Sequence, residues 1–388
     1  MKSAPKSLRL QIGLFGRTNT GKSSFLNMVT GQDVSIVSEI QGTTTDVVEK
    51  SMELLPIGPV TFLDTAGTSD TSDLSFKRLE KTEKVFDRAD IIVIITEPET
   101  WTHFEESIVK RAKDSETPVL CLINKSDLKS TSKELIDKIA GDVDSVVSVS
   151  SIDNENTESY INSFKNALIK IVPEDYLYPP PLIGDLVRPG GTAVLVVPID
   201  LEAPKGRLIL PQVQSIRDLL DNDAAALIVK ERELRSALDN LKRPPDIVVC
   251  DSQVVLKMTA DTPPDVRCTT FSILFARNKG DLSELTKGSA AIEGLDSNSR
   301  ILIAEACSHH ALEDDIGRVK IPRWLRQYTG CQLSIDHTKG RDYPENIGEY
   351  DLIIHCGSCM LTRRETIVRI EKAKQAGVSI TNYGVCIS

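Results

Sequence analysis

The sequence contains no long hydrophobic run, and this absence limits what the protein does. No apolar stretch among the 388 residues approaches the roughly 18–20 residues that a membrane-spanning helix requires. The first residues, Met1 to Lys6, are not followed by the apolar core or small-residue cleavage site of a signal peptide. We therefore expect a soluble, cytoplasmic protein with no membrane partner.

An excess of positive charge is also lacking. The 46 Lys and Arg residues are outnumbered by 56 Asp and Glu residues, which gives a formal net charge of -10. Proteins that bind nucleic acids carry basic patches, and this chain has no Arg- and Lys-rich segment interleaved with aromatic residues. The charge balance therefore predicts no nucleic-acid partner.

Cysteines and histidines are few, and they are concentrated near the end of the chain. Five of the eight cysteines and four of the five histidines lie after residue 300. In the cytoplasm, cysteines serve as thiols or metal ligands more often than as disulfides. The last part of the chain is therefore predicted to carry thiol or metal chemistry.

Strand-like and helix-like patterns alternate along the chain, which predicts an α/β protein with a mostly parallel sheet in its first domain. A chain of 388 residues is expected to form two or three domains. Proline-rich breaks predict a first domain over 1–172, a linker over 173–191, a small α/β domain over 192–264 and a third α/β domain over 265–388. The small domain carries no recognisable chemistry, which makes it a candidate interaction surface.

Three local predictions concern segments near these boundaries. Leu8–Phe15 is predicted as a strand, and Phe271–Phe275 is predicted as the first strand of the third domain. Pro173–Pro181 is predicted to be extended, because its prolines disfavour a continuing helix.

A phosphate-binding motif lies between the first predicted strand and the first predicted helix. Gly16–Ser23 reads GRTNTGKS and matches GxxxxGK[ST]. Its glycines let the backbone amides face a phosphate, and the following helix adds a favourable dipole. Lys22 is predicted to reach the β- and γ-phosphates, and the Ser23 hydroxyl is predicted to ligate Mg²⁺.

Three further motifs follow in the order that a GTPase requires. Gly42–Asp46 contains the predicted switch threonines, and Asp64–Gly67 follows an apolar strand as a γ-phosphate-sensing loop does. The carboxylate of Asp127 in Asn124–Asp127 can accept two hydrogen bonds from guanine. The predicted GTP-binding residues are Gly16, Asn19, Thr20, Gly21, Lys22, Ser23, Ser24, Thr43, Thr44, Asp64, Gly67, Asn124, Lys125, Asp127, Ser150 and Ser151.

In these motifs, residues 8–170 resemble the Era/TrmE-type small GTPases. The resemblance implies potassium-stimulated hydrolysis, with Asn19 beside K⁺ and Thr44 as a ligand of Mg²⁺. A departure from the pattern of Ras-like enzymes leads us to expect slow hydrolysis. Thr68 stands where Ras-like enzymes place the glutamine that orients water. No catalytic residue is therefore predicted, and Asp70 and Asp73 are either substitutes or solvated charges.

Two predicted strands of the third domain lead into thiols and imidazoles. Arg300–Ala306 precedes Cys307 and His309, and Tyr350–Ile354 precedes His355–Cys359, which reads HCGSC. If the strands are parallel neighbours, the three thiols meet at one edge of the sheet. Three thiolates fit a cubane iron–sulfur cluster with one iron left unligated by cysteine. They also fit zinc with a histidine as fourth ligand.

The complete pattern resembles the [FeFe]-hydrogenase maturation GTPases. A GTPase motif set is followed by two α/β units and by C-x-H…H-C-x-x-C, with 45 residues between the histidines. The resemblance implies a [4Fe–4S] cluster on Cys307, Cys356 and Cys359. It offers His355 or His309 as the fourth ligand, and the nearby Glu313 and Asp314 are further candidates for that position.

The same resemblance implies how such a protein acts. It implies a middle domain that forms a homodimer and a scaffold that carries a di-iron precursor. The implied partners are radical-SAM hydrogenase maturases and apo-[FeFe]-hydrogenase. The implied cofactors are GTP, Mg²⁺, K⁺ and the [4Fe–4S] cluster.

Two other functions are weighed against this one. A ribosome- or tRNA-associated GTPase with a structural zinc site would require a basic nucleic-acid-binding domain, which the charge of -10 disfavours. A GTP-gated thiol redox protein would use Cys356 and Cys359 alone. That function leaves Cys307, His309 and His355 unexplained.

Overall fold

In a computed structural model, the protein is described over residues 4–31, 48–64, 82–198, 208–306, 315–340, 343–344 and 346–388. The chain divides into two compact units, Met1–Pro179 and Pro180–Ser388. In the described part of the chain, no helix is long and apolar enough to cross a membrane. The residues singled out above that lie outside the described ranges are Thr43, Thr44, Gly67, Thr68, Asp70, Asp73, Cys307, His309, Glu313 and Asp314.

The first unit is built on a six-stranded, mostly parallel sheet, as the sequence predicts. Its strands are β1 Leu10–Phe15, β2 Val48–Leu54, β3 Gly58–Asp64, β4 Ile91–Thr96, β5 Val119–Ile123 and β6 Ser145–Ser148. They lie in the order β2-β3-β1-β4-β5-β6, in which β2 is antiparallel to β3. The helices are α1 Lys22–Thr30, α2 His103–Asp114, α3 Lys133–Asp142, α4 Thr157–Ile171 and α5 Glu174–Leu177.

The central strand β4 is buried along its whole length because helices cover both faces of the sheet. Ile91 packs in an apolar cluster that includes Phe25 of α1. Ile92, whose side chain points to the opposite face, packs in a second cluster that includes Val109 of α2. This double burial explains why β4 is a continuous apolar run in the sequence.

The second unit contains two four-stranded parallel sheets. The second sheet has the order β10-β9-β7-β8, with β7 Thr192–Val196, β8 Ala225–Val229, β9 Ile247–Cys250 and β10 Arg267–Thr270. The third sheet has the order β12-β11-β13-β14, with β11 Arg300–Glu305, β12 Ser334–Lys339, β13 Leu352–His355 and β14 Ser379–Asn382. The helices are α6 Leu210–Asp221, α7 Leu234–Asp239, α8 Val255–Asp261, α9 Phe271–Lys279, α10 Leu282–Ser289, α11 Ile321–Thr329, α12 Arg363–Gln375 and α13 Tyr383–Ile387.

The prediction of a strand over Phe271–Phe275 is wrong, because these residues form the first half of α9. Thr270 caps the helix, and its hydroxyl accepts a hydrogen bond from the backbone N–H of Ile273 at 3.2 Å. Phe271, Leu274 and Phe275 share the i, i+3, i+4 spacing of one helix face, and all three are buried.

Helix α9 connects the cores of the second and third sheets. Phe271, Leu274 and Phe275 pack in the core of the second sheet. Ala276, one residue later, packs in the core of the third sheet. The strand before this helix, β10, pairs with β9, so the second sheet continues past the predicted boundary at residue 264.

Two smaller corrections concern segment ends. Lys6–Leu8 forms a 3-10 turn, and β1 begins at Leu10 rather than Leu8. Within the segment predicted to be extended, Glu174–Leu177 forms the short helix α5 directly after Pro173. A proline fits the start of a helix because the amides of the first turn need no partner inside the helix. The predicted domain limits stay predictions.

Candidate functional site

The phosphate-binding motif forms a tight loop between β1 and α1. Asn19 and Gly21 have φ angles of 66° and 90°, which place them in the left-handed region. A Cβ atom on Gly21 would lie 2.2 Å from the Asn124 side-chain nitrogen, so glycine is required there by close contact. The Asn124 amide donates to the Thr20 carbonyl at 2.9 Å and holds the loop from the other side.

Lys22 and Asp64 lie together at the buried end of this loop. The Lys22 ammonium donates to the carbonyls of Gly16 at 2.5 Å and Arg17 at 2.8 Å. Burial lowers the pKa of Lys22, while the nearby Asp64 raises it. The pKa of Asp64 is raised, because the effect of burial is larger than the opposing effect of the Lys22 charge. Among the described residues, Asp64 Oδ1 is buried with no hydrogen-bond partner, and such an oxygen fits a hydrated Mg²⁺ ion.

The predicted guanine-binding residues form hydrogen-bonded pairs at the ends of β5 and β6. Ser150 Oγ donates to Asp127 Oδ1 at 2.5 Å. Asn124 Oδ1 accepts from the Ser151 backbone N–H at 3.0 Å and from the Ser151 hydroxyl at 2.9 Å. Lys125 forms a salt bridge with Glu97. The Asp127 side chain is exposed, where it can meet a base.

Strands β11 and β13 are parallel neighbours, with Ala304 opposite His355, which meets the condition stated in the sequence analysis. The Ala306 backbone N–H donates to Cys356 Sγ at 3.2 Å. Hydrogen bonds of this kind to sulfur are a feature of iron–sulfur sites. Cys307 follows Ala306 directly in the sequence, so the chain enters it from a point already in contact with the Cys356 thiol.

The two thiols of the CxxC turn lie in a buried environment. Burial raises the pKa of Cys356. Burial and the neighbouring Cys356 thiol raise the pKa of Cys359 to about 11. Redox-active CxxC thiols have lowered pKa values, and neither of these thiols shows such a lowering. Among the described residues, no group of three or more Cys, His, Asp and Glu side chains is arranged to hold a metal ion.

His355 is buried, and both of its ring nitrogens have partners inside the chain. Arg369 Nη1 donates to His355 Nε2 at 2.7 Å, which assigns the ring proton to Nδ1. His355 Nδ1 then donates to the Cys356 carbonyl at 3.0 Å. Burial, together with the Arg369 charge, lowers the pKa of His355 to about 3. The neutral imidazole therefore stabilises the turn through these two hydrogen bonds.

Ser358 adopts a left-handed conformation with φ of 54°, which is uncommon for a residue with a side chain. Its hydroxyl lies 3.1 Å from His355 Nδ1, so the same imidazole contacts both ends of the tight turn. The left-handed conformation of Ser358 shapes the turn that carries Cys356 and Cys359. His355, which is held by Arg369, stabilises this uncommon conformation.

Lys279 is the functional residue that sequence reasoning missed most clearly. The residue is 5% exposed, and its ammonium donates to the carbonyls of Cys359 at 3.3 Å and Leu361 at 2.8 Å. Burial lowers the pKa of Lys279 to about 8. Its position at the end of α9 ties the cysteine turn to the second sheet. A lysine at a helix end is common in any sequence, so no sequence signal marks it.

Three family models match separate parts of the chain. Residues 182–280 match the hydrogen maturase F dimerization domain, and residues 283–388 match the hydrogen maturase F tetramerization domain. Residues 11–125 match a model described as 50S ribosome-binding GTPase.

Individual relatives are similar over part of the chain. The tRNA modification GTPase MnmE of Prochlorococcus marinus (strain NATL1A) is 41% identical over 121 residues, which cover 31% of this chain and 26% of that protein. MnmE of Clostridioides difficile (strain 630) is 34% identical over 165 residues, which cover 42% of this chain and 35% of that protein. The chain thus spans about a third or less of these relatives' length.

Solved structures of two GTPases are similar at lower identity. Era of Aquifex aeolicus bound to GDP and AlF4- is 20% identical, with a TM-score of 0.34 over 65% of this chain and 99% of that chain. The G domain of the T. maritima FeoB iron transporter is 17% identical, with a TM-score of 0.32 over 42% of this chain and 99% of that chain.

Proposed function

The chain belongs to the hydrogen maturase F family, and from this premise we propose that it is a GTP-controlled scaffold of [FeFe]-hydrogenase maturation. It hydrolyses GTP in its first unit and holds a [4Fe–4S] cluster on Cys307, Cys356 and Cys359 in its second. Its cargo is a di-iron precursor that it receives from radical-SAM maturases and delivers to apo-hydrogenase.

The loop between β1 and α1 supports GTP and Mg²⁺ binding. When a nucleotide enters, Lys22 exchanges its two carbonyl partners for phosphate oxygens. Asp64 Oδ1, which has no partner among the described residues, would accept a hydrogen bond from a water of a bound Mg²⁺ ion, and the Ser23 hydroxyl would ligate that ion. Asn19, held in its left-handed conformation, is proposed to contact K⁺. Thr43, Thr44 and Gly67 complete the site as switch residues.

The single observation that carries the cluster assignment is the contact between Ala306 and Cys356. The 3.2 Å N–H···S hydrogen bond places the residue before Cys307 against one thiol of the CxxC turn. The sequence supplies the third thiol at the next position. If Cys307 joins Cys356 and Cys359 at this sheet edge, the three thiolates would fit a cubane cluster, which would supply an iron that lacks a cysteine ligand.

The residues around the turn hold Cys356 and Cys359 in place through contacts inside the protein. His355 Nε2 accepts from Arg369 at 2.7 Å, so its lone pair is already used. We therefore place the exchangeable fourth position away from His355, with His309, Glu313 and Asp314 as the remaining candidates. A weak ligand there suits a carrier, because cargo must be both bound and released.

Assembly and partners follow from the family. We propose that the second unit forms homo-oligomers through the regions matched by the dimerization and tetramerization models. GTP hydrolysis would regulate the release of a maturase or hydrogenase partner. It would not drive cluster chemistry, because the nucleotide loop and the thiols lie in different units.

The second candidate function is a ribosome- or tRNA-associated GTPase with structural zinc. The match of residues 11–125 to a ribosome-binding GTPase model favours it. Both matches beyond residue 182 are to hydrogen maturase F models, and the net charge of -10 opposes binding to RNA. These observations favour the scaffold.

Lys22→Ala tests the coupling between nucleotide and cargo. Because Lys22 would form charge-assisted bonds to phosphate, we expect GTP affinity to fall by roughly 10- to 100-fold. We also expect slower transfer of cargo to apo-hydrogenase, with the iron content unchanged. Lys129→Ala, at an exposed lysine of the same unit, is the control. Unchanged loading and unchanged delivery in Lys22→Ala would sink the proposed control by GTP.

A further inference from the structure

One carboxylate lies buried against the phosphate-binding loop, although it belongs to none of the nucleotide-binding motifs. Glu105 is the third residue of α2, and it is 0% exposed. Its Oε1 accepts a hydrogen bond from Arg17 Nε at 3.0 Å. Arg17 is the second residue of the Gly16–Ser23 motif, so this contact joins α2 to the loop that would receive the phosphates. A buried carboxylate is costly without a charged partner, and Arg17 supplies that charge.

The start of α2 accounts for only one of the two Glu105 carboxylate oxygens. Oε2 accepts from the backbone N–H of Thr102 at 2.9 Å and from the Thr102 hydroxyl at 2.6 Å, which forms part of a capping box. A glutamine at this position would also cap the helix, because capping needs only an acceptor there. The negative charge of Glu105 and the bond from Arg17 to Oε1 therefore require another explanation.

The backbone of Arg17 is a point at which the phosphate-binding loop is held together. Its carbonyl accepts from the Lys22 ammonium at 2.8 Å and from the Thr20 hydroxyl at 2.9 Å. A bound nucleotide would take Lys22 for its phosphates, and the Arg17 carbonyl would then lose one of these bonds. The side-chain contact between Arg17 and Glu105 does not involve Lys22, so it would still hold the loop during hydrolysis.

The loop also contacts the end of β4, directly before the segment that leads to α2. A Cβ atom on Gly16 would lie 2.4 Å from the carbonyl oxygen of Ile95, so the first motif residue packs closely against that strand. Thr96 ends β4, and its hydroxyl donates to the Thr100 carbonyl at 2.7 Å within the connecting segment. The end of β4 and the start of α2 therefore support the loop from one side, and Glu105 provides the charged contact.

We propose that Glu105 is a positioning residue for GTP hydrolysis, which acts through Arg17. The proposal rests on the proposed function and extends it by assigning a role to a residue outside the nucleotide-binding motifs. By fixing the Arg17 side chain, Glu105 keeps the backbone of the loop in one conformation while Lys22 contacts the phosphates. Hydrolysis is sensitive to such placement, because a displacement of about 1 Å can lower a rate roughly 100-fold.

Glu105→Gln tests this role without removing the helix cap. Glutamine keeps an acceptor for Thr102 but presents no negative charge to Arg17. GTP hydrolysis by the full chain is measured with Mg²⁺ and K⁺ as phosphate release over a range of GTP concentrations. Glu106→Gln is the matched control, because Glu106 is the next residue of α2, has 43% of its side chain exposed and pairs with Lys138 at 3.1 Å.

We expect Glu105→Gln to lower kcat by roughly 10- to 100-fold. KM should change less, because GTP binding is shared with the base-reading residues at the ends of β5 and β6. Glu106→Gln should hydrolyse GTP as the natural chain does. A natural kcat in folded Glu105→Gln overturns the proposal. Absence of GTP hydrolysis by the natural chain instead overturns the proposed function.

A double variant shows whether Glu105 acts through Arg17. Arg17→Gln removes the other half of the contact and should also lower kcat. The chain that carries both substitutions should lose no more activity than the weaker single variant, because one contact cannot be lost twice. Losses that multiply in the double variant overturn the positioning role. If Glu105→Gln fails to fold, as judged by circular dichroism, Arg17→Gln, at a side chain that is 35% exposed, is scored by the same kcat criterion.

Discussion

At the scale of single residues, we predict that the selectivity for guanine depends on Asp127. Its carboxylate is positioned by the Ser150 hydroxyl at 2.5 Å, and it is predicted to accept two hydrogen bonds from the base. Asp127→Asn removes the charge and one acceptor, so we expect GTP to bind roughly 10- to 100-fold more weakly. Xanthine nucleotides, which carry a carbonyl where guanine has an amino group, should bind better to the variant.

Fluorescent-nucleotide titration measures this change. Asp142→Asn, at an exposed residue at the end of α3, should bind GTP like the natural chain. If Asp127→Asn discriminated guanine from xanthine as the natural chain does, Asp127 would not be the base-reading residue.

Lys279 should stabilise the cysteine turn. Lys279→Met keeps the length and apolar stem of the side chain but leaves the carbonyls of Cys359 and Leu361 without their donor. We expect the free energy of unfolding of the metal-free chain to fall by about 1–3 kcal/mol. Cys359 should also be alkylated faster, because the turn that buries it loosens.

Urea denaturation and timed alkylation with mass spectrometry measure the two effects of Lys279→Met. Lys287→Met changes a lysine whose side chain is 72% exposed and should alter neither. Equal alkylation rates at Cys359 in the two variants would contradict a positioning role for Lys279.

Residues in local motifs could be identified from the sequence, and residues that support them from a distance could not. The Gly16–Ser23 loop is specified by neighbours in the chain, so its spacing alone predicted its structure. Arg369 contacts His355 from α12, and Lys279 contacts the cysteine turn from α9. Those contacts exist only after the third sheet forms, and no spacing rule encodes them. The contact between Arg369 and His355 is of the same kind, and the role of His355 as a fourth ligand stays a prediction.

At the scale of elements, β8 forms an edge of the second sheet and is partly exposed. Ile228 on this strand has 44% of its side chain exposed. Unpaired edge strands offer backbone donors and acceptors to a second chain. We therefore predict that β8 contributes to the dimer and that Ile228→Lys shifts the protein to a smaller oligomer, because a charge at a packed edge is costly.

Light scattering coupled to size-exclusion chromatography measures that shift. Leu256→Lys replaces an apolar residue of α8 whose side chain is 85% exposed, and it should leave the mass unchanged. A full-sized oligomer in Ile228→Lys would place the interface elsewhere.

The sequence predicted strands better than it predicted the helix that joins the sheets. Strands β4 and β13 are short buried runs between turn residues, and periodicity is sufficient to find them. Helix α9 begins with Phe271 and is apolar enough to look like such a run. Its helical state is decided by the Thr270 cap and by packing against two sheets at once. Packing against two sheets depends on the tertiary structure, so it could not be predicted from local sequence.

At the scale of the whole molecule, one chain combines two kinds of chemistry in separate units. The first unit has a preformed phosphate loop with Lys22 and Asp64 buried beside each other. The second places Cys356 against the residue that precedes Cys307. We propose that the first unit is a switch and the second a carrier. The central prediction is that the thiol site of the second unit holds an iron–sulfur cluster.

The most direct test of that claim is metal analysis of protein prepared without oxygen and reconstituted with iron and sulfide. We predict about four iron and four sulfide per chain and a cubane electron paramagnetic resonance signal after reduction. Cys307→Ser should lose that signal, and Cys331→Ser, at a thiol outside the site, should keep it. Stoichiometric zinc without iron, no bound metal, or an unchanged cubane signal in Cys307→Ser would contradict the account.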